Sequence, residues 1–124
     1  MKALEPNQYA NQILKKLGYE KTIICISLIS PLEIKKLNKK FRDTNKTTDV
    51  LSFPIFNKVL KKSDVPRLIG DIFINKQNAK DSLMLKVLII HGLLHIIGYD
   101  HKTNKDLRHW DKFSSKLLKK YDKF

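Results

Sequence analysis

Cys25 is the only cysteine in the 124-residue chain, so neither an internal disulfide nor a thiolate metal cluster can form. It lies in the apolar run TIICISLI and is expected to be core. Acidic residues are scarce too, 12 against 25 lysines and arginines, for a formal net charge of +13. That imbalance points to a polyanionic partner such as nucleic acid. Among the basic residues only Arg42, Arg67 and Arg108 are arginine. A lysine surplus in an isoleucine- and asparagine-rich chain can reflect codon bias, so the charge speaks for an RNA or ribosomal partner without naming a sequence, and no DNA specificity is expected. The N-terminus, MKALEPNQYANQ, has no apolar signal core, which leads us to expect a cytoplasmic protein. The run from Leu83 to Tyr99 is on the short side of the roughly 20 residues of a membrane span and contains Lys86, His91 and His95. It is expected to be a helix buried in a small domain, with no membrane partner. Repeats and low-complexity linkers are also missing, and residues 1–124 are expected to form a single domain.

What the chain does have is concentrated in HGLLHIIGYDH, His91 to His101, which holds three of the four histidines. On a helix, His91 and His95 share one face, one turn apart. Gly98 can take the left-handed conformation that ends a helix, letting the chain bring His101 back over that face. Three neutral imidazoles with a fourth position open are a catalytic pattern for zinc. The spacing is that of the long zincin protease motif, but Gly92 stands where the protease has its general-base Glu. The pattern therefore points to a hydrolytic metal site and away from a peptidase. The alternative is three hydrogen-bonded histidines in a buried helix.

Along the chain, Pro6 to Leu17 reads as a first helix closed by Gly18, and Thr22 to Ile29 as a strand buried on both faces. Ser30, Pro31 and Glu33 start a second helix with a capping box, with Ile34, Leu37 and Phe41 inward and Lys35, Lys36, Lys39 and Lys40 off that face. These lysines read as a solvated surface in preference to a phosphate-binding ridge. Arg42 to Thr48 is a polar loop, Asp49 to Phe53 a short strand, Asn57 to Arg67 a lysine-rich loop and Leu68 to Ile74 a central strand. A helical segment is expected from about Lys76 through the histidines, with a break near Asp81, and a last helix from about Asn104 to Tyr121. The order predicts an α+β fold, a small sheet with helices packed on it.

Three blocks in this order, LNKKFRDTNKTTDVLSFP (Leu37 to Pro54), IGDIFI (Ile69 to Ile74) and HGLLHIIGYDH, resemble the YbeY family of bacterial metal-dependent endoribonucleases. The resemblance implies that His91, His95 and His101 hold one zinc-like ion (Zn2+, or another divalent first-row metal), and that Arg42 is the functional arginine of the metal cleft. It implies a small mixed β-sheet with helices packed on it and a metal-binding helix at its centre, an RNA substrate, and a setting in 3′-end maturation of small-subunit ribosomal RNA and ribosome quality control. The chain departs from the family at Thr47, where proline is usual, which predicts a less rigid turn. The stretch between Asp71 and His91 is also shorter, and Trp110 with lysines replaces a Met-x-x-x-x-Glu-like pattern in the last helix.

Such an ion activates water without a separate base, in keeping with Gly92, and Arg42 suits the charge that grows on a phosphodiester under attack. Asp71, costly in a central strand unless paired, either orients a histidine ring, pairs with Arg42 or caps a helix. Asp100 either supports His101 or faces water. Ser52 lacks a free histidine to serve as its base and is not expected to be a nucleophile, and His109 reads as surface. Two other functions stay open: a ribosome-associated RNA-binding factor with a mainly structural metal, and a metallohydrolase of other substrates.

Overall fold

Reciprocal capping boxes start the first two helices. Glu5 and Gln8 open α1 (Pro6–Lys16), and Ser30 and Glu33 open α2 (Pro31–Arg42), each with proline in the first turn. The computed structural model describes residues 5–56 and 58–98, together with Lys116 and Lys119, both helical. The expected last helix otherwise lies outside the described residues. The remaining elements are β1 (Thr22–Ile29), β2 (Val50–Pro54), β3 (Arg67–Asn75) and α3 (Ser82–Ile96). β3 is the middle strand, parallel to β1 and antiparallel to β2. This is the expected small α+β arrangement on a mixed sheet.

Strand alternation divides the sheet into two faces. Ile24, Ile72 and Ile74 point toward α1 and α3 and join Ile13, Leu14, Leu93 and Leu94 in one core cluster. Leu51, Phe53, Asp71 and Phe73 point the other way, and α2 covers part of that face, with Phe41 against Phe53.

β1 differs from the expectation of a strand buried on both faces. It is an edge strand, and Ile23, Cys25 and Leu28 are exposed. Among the described residues, the helix packed on it, α1, lies on one side only. Its apolar run therefore marks a half-covered strand, and Cys25 is not core. The open edge is guarded by α1. Asn7 and Asn11, one turn apart, accept hydrogen bonds from the Ile26 and Ile24 N–H groups at 2.7 and 3.2 Å. Two of the outward donors of β1 thus have partners that a second chain would otherwise supply.

Two local expectations also change. Residues 76–81 are not helical, because Asn75 closes a turn there, its side chain accepting from Gln77 N–H. α3 then starts after Asp81, whose carboxylate accepts from Met84 N–H at 2.8 Å. Thr47, the residue in place of proline, is also held. Its hydroxyl donates to the Pro31 carbonyl and accepts from Asn75 Nδ2, and Asn75 is itself buried. Side-chain bonds fix the turn in place of a proline ring.

Candidate active site

Gly92 lets α3 lie close on the sheet. A Cβ there would stand 2.9 Å from Ile72 Cγ2, closer than real Cβ atoms approach, and 3.0 Å from Ser52 Oγ, a tight contact. No carboxylate fits at this position, so the missing protease Glu follows from helix–sheet packing. From Leu88 to Ile96 every residue of α3 is buried except His91 and His95, which are half-buried. Within Leu88–Ile96 the pair is the partly open stripe; the first turn of α3, with Leu83 and Met84, is exposed. α3 ends as expected, with Gly98 left-handed at φ 102° and its N–H bonded to the His95 carbonyl at 3.3 Å.

Arg42 is the last residue of α2, which closes on Asp43 in the left-handed conformation. Its Nη2 donates to the Ser52 carbonyl at 2.8 Å, and its guanidinium lies 5.6 Å from the centre of the Phe53 ring. The reason is in the ladder. Asn75 N–H bonds to the Asp49 carbonyl and Ile55 N–H to the Ile69 carbonyl, so odd-numbered residues of β2 face β3. The Ser52 carbonyl therefore points to the open edge, where Arg42 caps it. Ser52 is 6% exposed and bridges the site, with its carbonyl on Arg42 and its hydroxyl against Gly92. Ser52 is thus a structural bridge, a role that its assessment as a nucleophile does not cover. The residues alone carry no signal for it, because the bridge depends on strand register and on α3 lying over Ser52.

Asp71 is half-buried, paired in register with Phe53 and Cys25. Alternation puts its side chain on the face opposite Ile72, the residue packed on Gly92, so the sheet lies between Asp71 and the α3 histidines. Among the described residues it makes no ion pair with Arg42 and caps no helix; the ion pair there is Lys39–Asp43 at 3.0 Å. His101, Asp100 and His109 lie outside the described residues. No set of three metal-binding side chains occurs among the described residues, so a central metal-binding helix is not shown. The donor chemistry of the histidine pair nonetheless fits a zinc-like ion: two nitrogen donors one turn apart on a half-open stripe of α3.

The model of the family described as Endoribonuclease YbeY matches residues 3–122. The chain belongs to the YbeY family. It is 39% identical over 127 residues to Endoribonuclease YbeY of Phytoplasma mali, covering 93% of this chain and 81% of that protein. The YbeY of Bartonella henselae is 35% identical, with 87% and 75% covered. The YbeY of Buchnera aphidicola is 38% identical over 105 residues, and there the match spans 77% of this chain and 66% of the relative's length. The solution structure of TM1509 from Thermotoga maritima resembles the fold, with a TM-score of 0.53, 25% identity, and coverage of 94% of this chain and 81% of that one. Family membership thus rests on the sequence matches, and the solved structure shares the fold. Among the described residues no helix is long and apolar enough to cross a membrane.

Proposed function

We propose that this chain is a metal-dependent endoribonuclease that hydrolyses phosphodiesters of single-stranded RNA. The observation that carries the reading is membership of an endoribonuclease family along nearly the whole chain. The arrangement of Arg42 and the histidine helix on either side of Ser52 supports it. His91 and His95, with His101, would hold one zinc-like ion. When bound, such an ion supplies Lewis acidity, lowering the pKa of water and polarising a phosphoryl oxygen. The apolar wall around the histidine stripe limits competing water. Arg42 uses one of its five N–H donors on Ser52, which fixes the plane of the guanidinium. The rest of the fork is left to grip the nonbridging oxygens as charge grows on them. The proposed setting is the cytoplasm, in 3′-end maturation of small-subunit ribosomal RNA and ribosome quality control.

The second reading is a ribosome-associated RNA-binding factor with a structural metal. The core argues against a structural ion. Leu88, Ile89, Leu93 and Leu94 are buried by protein alone, and the histidines sit at the rim of that core. Protein stripped of metal decides: the enzyme stays folded and loses an RNA cleavage that zinc restores, whereas the binding factor unfolds and never cleaves.

A further inference from the structure

We propose that Phe41 is a stacking platform for one unpaired nucleobase of the RNA, beside the Arg42 phosphate clamp; this rests on the endoribonuclease reading above. The helical pattern assigns Phe41 to the inner face of α2, yet it is 58% exposed. The reason is its place at the end of the helix, next to Arg42 at the β2 edge. Exposure alone would mean little, but this ring is braced. Phe53 holds it edge-to-face at 5.4 Å and 66°, and Phe73 holds Phe53 at 5.8 Å and 70°. The ring therefore needs little further ordering when a ligand arrives.

Cations flank it on both sides along the chain. Lys40 Nζ lies 5.2 Å over the Phe41 ring, and the Arg42 guanidinium lies over Phe53. The flexible lysine stem can leave the ring face for a phosphate when a base stacks there. Beyond Lys40 the basic surface continues as a shallow groove of about 300 Å³ lined by Leu32, Lys35, Lys36, Lys39, Lys40 and Asn45. Asp43 offsets part of the Lys39 charge at 3.0 Å. An ordered aromatic face within a cationic surface is the chemistry that binds single-stranded nucleic acid. A duplex keeps its base faces stacked inside, so the platform selects unpaired RNA.

The test uses full-length, zinc-loaded protein and a single-stranded RNA carrying 2-aminopurine. Wild type is expected to quench the 2-aminopurine fluorescence on binding, and a matched duplex is not. Phe41→Ala and Phe41→Leu should lose the quench and raise Kd roughly 5- to 150-fold, the range of one lost base stack, with KM rising and kcat kept. Phe41→Trp should keep both quench and affinity. Because Phe41→Leu retains apolar bulk, a folding defect is separable from a lost ring face. The slope of affinity against salt should stay that of wild type in Phe41→Leu and shrink in Lys40→Ala. Wild-type quench and Kd in Phe41→Leu would overturn the platform while leaving the cleavage reading intact. A wild-type protein that neither binds nor cuts single-stranded RNA would overturn both.

Discussion

The Ser52 hydroxyl oxygen lies 3.0 Å from where a Cβ on Gly92 would stand. That contact joins the sheet to the histidine helix, and the same serine's carbonyl anchors Arg42. The distance between the proposed catalytic arginine and the proposed metal ligands is thus set by one buried residue and by the absence of one side chain.

A methyl at Gly92 should strain this contact. Overpacking costs about 1–3 kcal/mol, offset by about 1 kcal/mol of helix propensity. Gly92→Ala is therefore expected to lose on the order of 1 kcal/mol in urea denaturation, and Gly92→Glu to lose several times more, because its carboxylate has no room and no water. A Gly92→Ala protein more stable than wild type would show that the helix is free to move outward.

Arg42→Ala should lower kcat/KM for single-stranded RNA by about 2.7–4 kcal/mol, roughly a hundred- to a thousandfold, with little change in stability because the residue is exposed. Arg42→Lys should recover little, since a point charge cannot both cap Ser52 and grip two oxygens. Activity within threefold of wild type in Arg42→Ala would remove the role proposed for it.

The edge caps of β1 should be unequal. Asn11 serves the N–H of the fully buried Ile24, and Asn7 serves a more exposed N–H on Ile26. Asn11→Ala should cost about 1–2 kcal/mol and speed hydrogen exchange at Ile24, whereas Asn7→Ala should cost less, since water can replace its bond. Equal losses, or the reverse order, would contradict this account of the edge.

Much of the frame was legible from the residues. The Ser30 box with Pro31, the extent of β1, the central place of β3 and the left-handed Gly98 each follow from short-range chemistry that the chain states directly. What was not legible depends on which faces are covered. TIICISLI reads as doubly buried, but an apolar run is silent on whether a layer exists on each side, and Cys25 and Ile23 face outward. Phe41 follows the inner period of α2 but lies at the helix end, next to the sheet edge. Lys76 to Asp81 has helical composition, but Asn75 and Asp81 bond the backbone into a turn and a cap. In the site, the pairing of His91 with His95 was readable from spacing. The Ser52 bridge was not, because it needs the register of two strands, and neither was the far-face position of Asp71.

Metal content and cleavage measured on the same samples test the central claim most directly. Wild-type protein should carry one zinc-like ion per chain by native mass spectrometry and cut a defined single-stranded RNA. His95→Ala should remain folded, because its ring lies at the rim of the core, carry no ion, and cut at least a hundredfold more slowly, on the order of one lost electrostatic stabiliser or more. A His95→Ala protein that keeps its ion or cleaves at the wild-type rate would contradict the account.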